Sequence, residues 1–193
     1  MIEVKKNMNL ITCVQKQGDR WAIGNKNTLL FSFSDDRRFF KQHTEYKIIV
    51  MGKKTFESLP TVLNNRIHII LTRDENYNPY TLNKKNDTNS PLIVVHNLKE
   101  LFAMVKFIVE GPQNTFSNDD VWVIGGGQIY DLLLPYCEEA YISFVEKQPL
   151  KDADTFFPNL DMNYNWKCTT IQRSENDPIS FQRYVNLYKI PPI

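Results

Sequence analysis

The sequence predicts a layered α/β fold, with strands buried on both faces as in a parallel sheet and an antiparallel hairpin at its C-terminal end. Three observations predict it. Short, continuously apolar, β-branched runs (KIIVM, IHIIL, VWVI) have the composition of strands buried on both faces. Stretches with helical spacing lie between them, and strand alternating with helix marks a layered α/β fold. The alternation breaks only near the C-terminus, where WKCTTIQRS from Trp166 and ISFQRYVNLYKI from Ile179 flank a Glu-Asn-Asp-Pro turn, as an antiparallel hairpin would.

In chain order, the predicted strands before that hairpin are Leu10–Val14, Lys47–Met51, Arg66–Thr72, Leu92–His96, Val121–Ile124 and Ala140–Glu146. The first predicted helix is Ser34–Gln42: Ser34 reads as its N-cap, and Asp35 and Asp36 sit where the positive end of the helix dipole favours acids. Lys53–Ser58 is a short helix. Asn97–Val109 opens Asn-Leu-Lys-Glu, which resembles a capping box. Gln128–Leu134 is closed by Pro135, which cannot continue a helix. Tyr77–Pro91 and Glu110–Asp120, rich in Asn, Asp, Ser and Pro, read as loops. No repeat is visible, nor a linker with a fresh core beyond it, so residues 1–193 are expected to form a single domain.

Composition excludes several classes. Hydrophobic residues make up 42% and charged residues 23%, an ordinary globular balance. A net charge of +1 argues against a generally basic nucleic-acid binder. Cys13, Cys137 and Cys168 are odd in number without CxxC spacing, which favours reduced thiols over a disulfide or zinc framework. His43, His68 and His96 show no metal-ligand spacing, so no metal is expected. No apolar run approaches the roughly 18 residues of a membrane span, and the N-terminus lacks a signal-peptide core. A cytoplasmic protein without a membrane partner is the expectation.

Chemistry concentrates in three places. In LLFSFSDDRRFFKQHT, the helical neighbours of Asp36 are Phe39 and Phe40, whereas those of Asp35 are Arg38 and Phe39. Asp36 is therefore expected on the apolar stripe and Asp35 toward the charged edge. A buried carboxylate is costly unless paired, and burial raises its pKa. Two parallel N–H donors, as on a 2-amino-pyrimidinone edge, would suit it; the plain alternative is an acid that satisfies its own helix end. The second place is VWVIGGGQIYDLLLP, strand, Gly125–Gly127, helix, a layout that lets backbone approach a phosphate or simply makes a tight turn. The third is IIVMGKKTFESLP, where Lys53 and Lys54 open a helix against its dipole. With Arg73 at a neighbouring strand end, they suggest a phosphorylated nucleotide, or else solvated surface lysines.

Taken together, these pieces resemble the dihydrofolate reductase family. The matching segments run in order along nearly the whole chain: Ala22-Ile23-Gly24-Asn25, the acid helix, IIVMGKKTFESLP, NRIHIILTR, VIGGGQIY and Asp154-Thr155-Phe156-Phe157-Pro158. The resemblance implies an eight-stranded, mostly parallel sheet with an antiparallel C-terminal strand and helices on both faces. It implies NADPH-dependent reduction of 7,8-dihydrofolate by a monomer. Asp36 would grip the pterin and support protonation of N5, with Ser143 behind it and Cys13 on the first strand. Phe40, Leu59 and Leu63 would line the pocket, and Arg66 would pair with the substrate's α-carboxylate. Ile23 and Gly24 would cradle the nicotinamide; Lys53, Lys54, Thr55, Thr72 and Arg73 would hold the adenosine side, with His96 near the adenine. Gly125, Gly126, Gly127, Gln128 and Ile129 would meet the diphosphate and ribose, and Gly125–Gly126 is expected to be cis.

The chain departs from the family pattern at several points. Leu30-Phe31 stands where Pro-Trp is usual, Arg37 where an apolar residue is, Ser143 for Thr, and Asn64-Asn65 for Pro-Gly; extra residues lengthen Gln15–Asp19. Two other readings are open: a riboflavin-pathway pyrimidine reductase, which needs a ribose-phosphate site in place of Arg66, and a nucleotide-binding homologue without turnover, suggested by Leu30-Phe31 and Arg37. Lys84-Lys85 reads as solvated loop charge.

Overall fold

The computed structural model describes residues 8–85, 90–112, 115–146 and 152–188. Its strands are β1 (Met8–Gln17), β2 (Arg20–Asn25), β3 (Thr28–Leu29), β4 (Ile48–Gly52), β5 (Ile67–Leu71), β6 (Leu92–Val95), β7 (Val121–Gly125), β8 (Cys137–Val145), β9 (Thr155–Phe157), β10 (Trp166–Arg173) and β11 (Ile179–Asn186). The helices are α1 (Ser34–Thr44), α2 (Lys53–Ser58), α3 (Leu98–Val109) and α4 (Gly127–Leu133). The main path of the sheet runs β10-β11-β8-β1-β7-β4-β5-β6, with β2, β3 and β9 branching from β1. From β8 to β6 every neighbour pair is parallel, and β11 joins β8 and β10 antiparallel. The predicted fold is therefore present, with a side branch that local sequence did not announce.

Alternation explains the two apolar faces. Successive strand side chains point to opposite sides of a sheet. Leu10, Ile48, Val50 and Ile69 enter one apolar cluster, with Leu101 and Val105 of α3 and Tyr130 and Leu133 of α4. Their immediate neighbours Ile11, Ile49 and Ile70 enter the other, with Phe56 of α2 and with Phe39 and Phe40 of α1 packed against it. A continuous apolar run is what a strand covered on both faces requires.

The lengthened segment Gln15–Asp19 is a tight hairpin: Gln15, Lys16 and Gln17 pair with Ala22, Trp21 and Arg20, and Gly18 turns at φ +60°. β2 in turn pairs with β9, Gly24 opposite Thr155. Trp21 anchors this branch, fully buried and edge-on to Phe144 at 4.7 Å between ring centres. The α3 N-cap is Asn97 as expected, accepting from the Glu100 N–H at 3.0 Å, but the box is shifted: Glu100 accepts from the His96 N–H (2.8 Å) and the Asn97 side-chain amide (2.6 Å), not from the Asn97 N–H. The α1 cap is not. Phe33 occupies the N-cap, Ser34 is already helical, and no local side chain caps the end.

Candidate active site

The site grows from the first turn of α1. Its missing cap comes from the β10–β11 turn: Asp177 Oδ2 accepts from Ser34 Oγ (3.0 Å) and from the Asp35 N–H (2.7 Å). Asp35 answers in kind, its Oδ2 accepting from Ser174 Oγ (2.6 Å) and Asn176 Nδ2 (3.1 Å), while Arg38 Nη1 stands 3.2 Å from Oδ1. Asp35 lies on the charged edge beside Arg38, and the hairpin covers that edge and leaves it only 8% exposed. The Ser174 and Asn176 hydrogen bonds hold its carboxyl below the usual range. A cavity of about 530 Å³ runs along this side of α1, lined by Asp35, Arg38, Phe39, His43, Ser174 and Phe181 but not by Asp36.

Asp36 is the acid left facing the sheet. It is half-buried, and burial pushes its pKa up, with the Ser143 hydroxyl and Arg37 pulling down and Asp177 pushing up. Arg37, the next residue of the helix, acts on it through charge alone, its Nη1 donating to Ser32 Oγ at 2.6 Å. Ser143 is fully buried on β8, opposite Cys13 of β1. Its Oγ is close enough to lower the Asp36 pKa, and no other side chain among the described residues engages it. Burial, then the Asp36 charge, raise the Cys13 thiol, so it stays protonated as a small core side chain. The buried Tyr130 hydroxyl donates to the Ile11 carbonyl at 2.7 Å.

Phe40, Leu59 and Leu63 pack together on the cluster around Ile49, Met51 and Phe56. The Leu63 N–H donates to His68 Nε2 (3.3 Å), and His68 Nδ1 lies 3.2 Å from the Arg66 carbonyl, which fixes this loop. Leu59 is fixed from outside. Lys84, expected as a solvated charge, donates to the carbonyls of Leu59 and, at 3.1 Å, Glu57. Arg66 is 7% exposed and lies 6.0 Å from the Phe40 ring centre. It donates to Thr44 Oγ1 (3.1 Å) and the Asn64 carbonyl (2.7 Å), and a guanidinium has more donors than these two bonds use. Thr44 accepts because it already gives its own proton to the Phe40 carbonyl at 2.7 Å.

The second half of the site joins two strand-to-helix turns. β4 and β7 are neighbours, Met51 opposite Gly125, so the turns entering α2 and α4 stand side by side at the carboxyl edge of the sheet, where open α/β sheets take ligands. They admit no larger residue without movement. A Cβ on Gly52 would lie 2.9 Å from Ile129, one on Gly126 3.1 Å from Thr55 Oγ1, and one on Gly127 3.0 Å from the Phe156 carbonyl. The Gly125–Gly126 peptide is cis, as the resemblance implies. Gly24 borders the same edge through Thr155, whereas Ile23 is buried in the core. Gln128, Lys54 and Arg73 are exposed. Lys53 is not a free cation: its Nζ bonds Asp74 Oδ2 at 2.8 Å and lies 4.8 Å from the Tyr77 ring centre. The Asp74 N–H is held by Thr72 Oγ1 at 3.2 Å, and His96 Nδ1 stands 3.1 Å from the Thr72 carbonyl. Backbone cradles without Cβ atoms, beside Lys53 and Arg73, fit a phosphorylated dinucleotide. Among the described residues no group of three or more His, Cys, Asp or Glu side chains could hold a metal ion.

Sequence reasoning missed Asp177, Ser174, Asp74 and Lys84. Asp74 follows Arg73 and could have been flagged as an acid beside a proposed phosphate site; the others act far from their own positions and give no local signal.

A family model described as dihydrofolate reductase matches residues 9–188. The dihydrofolate reductase of Buchnera aphidicola subsp. Baizongia pistaciae is 31% identical over 157 residues, 81% of this chain and 82% of its own length. That of Bacillus subtilis is 31% identical over 157 residues, 80% of this chain and 79% of its own. That of Staphylococcus haemolyticus is 26% identical over 183 residues, 94% and 95% of the two chains. A solved structure of dihydrofolate reductase from Enterococcus faecalis, complexed with NADP(H) and RAB-propyl, aligns with a TM-score of 0.69 at 23% identity, covering 95% of this chain and 97% of its own. At that identity the likeness speaks to the fold.

Proposed function

This chain belongs to the dihydrofolate reductase family, and we propose that it carries out the family reaction: 7,8-dihydrofolate is reduced to 5,6,7,8-tetrahydrofolate by hydride transfer to C6 and protonation at N5. One observation carries the assignment of roles. Of two adjacent acids, one is consumed by the hairpin, and the other, Asp36, is held half-buried beside Ser143 and Cys13 with its pKa raised.

The residues divide the work as follows. Asp36 accepts the pterin 2-amino and N3 protons on its two oxygens, a charge-assisted pairing stronger than a neutral one. Burial keeps its proton affinity nearer to working pH, as a site that must help protonate N5 requires. Ser143, whose hydroxyl lowers the Asp36 pKa, orients the carboxylate from behind. Phe40, Leu59 and Leu63 cover the rings and exclude water, while Arg66 offers its unused donors to the α-carboxylate, a planar contact that Lys would not reproduce. NADPH supplies the hydride when bound. Gly24 and the Ile23 backbone border its nicotinamide; Gly125–Gly127, Gln128 and Ile129 approach the diphosphate and ribose; Thr55, Thr72, Lys54 and Arg73 serve the adenosine side. Lys53 exchanges Asp74 for the 2′-phosphate, which favours NADPH over NADH.

Neither the pyrimidine-reductase reading nor the non-catalytic one is favoured by relatives that are named dihydrofolate reductase. We further propose a single-domain monomer of the cytosol, since free Cys13, Cys137 and Cys168 suit a reducing compartment. Among the described residues no helix is long and apolar enough to cross a membrane. The test is NADPH oxidation by the purified protein with and without dihydrofolate. Oxidation that depends on dihydrofolate is expected; NADPH binding without it would overturn the proposal.

A further inference from the structure

Asp36 stands at a vulnerable place. With Phe33 as N-cap, it is the third residue of α1, inside the first turn, where backbone N–H groups lack intrahelical partners and helix ends fray. An acid at that position ordinarily reaches back to satisfy its own helix end. Here that duty is taken by Asp177, 142 residues away in the chain. Asp177 accepts from the Asp35 N–H and from Ser34 Oγ. Ser174 and Asn176 hold the Asp35 carboxylate. The turn is itself braced, because Ser174 Oγ also accepts the Asn176 N–H (3.2 Å) and the Asp177 N–H (3.0 Å). Neighbouring residues on a helix project about 100° apart. Fixing Asp35 against the hairpin therefore fixes the direction of Asp36 as well.

Resting on the reading of Asp36 given above, we propose that Asp177 is a positioning residue for that carboxylate: the Ser174–Asp177 turn caps α1 in trans and engages Asp35, leaving both Asp36 oxygens for substrate. Asp177 also acts through charge. The groups that face Asp36 are Arg37 from α1, Asp177 from the turn, Ser143 from β8, Cys13 from β1 and Tyr130 from α4. Among them Asp177 raises the Asp36 pKa and Arg37 lowers it. Cap and charge are separable, because Asn can accept the same hydrogen bonds without the charge.

The experiment compares Asp177→Ala, Asp177→Asn and, as a control within the turn, the exposed Glu175→Ala. The readouts are kcat, KM for dihydrofolate, the pH profile of kcat, and amide exchange at residues 34–36. Loss of a cap predicts a roughly 2- to 30-fold loss of kcat/KM and faster exchange in Asp177→Ala. Asp177→Asn is expected to recover most of kcat, while the limb on which turnover falls with rising pH moves to lower pH. Glu175→Ala should match the parent. The inference is overturned if Asp177→Ala keeps the parent kcat, KM and pH profile, whatever happens to its melting temperature. It is equally overturned if Asp177→Asn matches Asp177→Ala in kcat with an unmoved pH limb. Failure of the Asp36 reading is distinguishable: full turnover by Asp36→Asn would remove that role, while faster exchange in Asp177→Ala would still report the cap.

Discussion

Replacing Asp36 by Asn separates what the carboxylate does for the reaction from what it costs the fold. Asn is neutral and retains one acceptor oxygen, so one charge-assisted bond to the pterin edge is lost outright and the other is reduced to a neutral one. Such a bond contributes about 1.5–3 kcal/mol, which predicts an increase in KM of roughly 10- to 160-fold. Removal of a positioned proton donor takes a further 10²–10⁴-fold, roughly, from turnover, or about 2.7–5.4 kcal/mol of barrier. Turnover should partly recover toward acid pH, where solvent protonates N5 directly. Stability should move the other way. Burial raises the folded pKa of Asp36 above its unfolded value. The folded state then binds the proton more tightly, so this group's contribution falls as pH rises from about 3.9 through the folded pKa and stays low above it. Asp36→Asn removes that penalty and is expected to melt higher than the parent at pH 7. Steady-state kinetics across pH and calorimetry at pH 7 read both effects. Parent-level turnover at neutral pH would refute the assignment, and a lower melting temperature would refute the electrostatic argument.

The other expectations concern single contacts. Arg66→Leu should weaken dihydrofolate binding by about 10-fold or more, the scale of a charged hydrogen bond, with NADPH affinity measured by fluorescence nearly unchanged; an equal loss of both would contradict the placement. Tyr130→Phe leaves the buried Ile11 carbonyl without its 2.7 Å donor. That costs about 1–3 kcal/mol, and at roughly 2–4 °C per kcal/mol the melting temperature should fall by about 2–12 °C. In Asp120, burial raises the pKa, but the bonds from Lys47 and Ser117 outweigh it and hold the carboxyl low. Its stabilisation is present above the unfolded pKa of about 3.9 and is lost as pH falls through the folded value. Asp120→Asn should therefore flatten the loss of stability on acidification, and an unchanged slope would remove the Lys47 pair from the acid response.

Features that depend on neighbours in sequence were legible before any coordinates. The strands containing KIIVM, IHIIL and VWVI declare themselves because both faces of each are buried, so apolar residues run on almost continuously, with His68 the buried polar exception. The α3 cap was readable because Asn97 and Glu100 lie within one turn. The glycine run entering α4 was readable as a place of close approach, and a Cβ on Gly125, Gly126 or Gly127 would meet Tyr130, Thr55 or Phe156 in turn. In contrast, β9 spans only Thr155–Phe157 and exists through its pairing with β2; its residues favour strands, but three are too few for a readable alternation. Ser34 had the chemistry of a cap and lost the place to Phe33, because an acid from another element satisfied the helix end instead.

The sequence alone determined the layer order, the two glycine-bearing turns and the presence of two candidate acids on one helix end, because each is written in spacing over a few residues. Only the tertiary structure decided which acid does what. Helical periodicity sets the angle between Asp35 and Asp36 but not which of them meets the hairpin, and the partners that choose, Ser174, Asn176 and Asp177, arrive at α1 only when β11 pairs with β8.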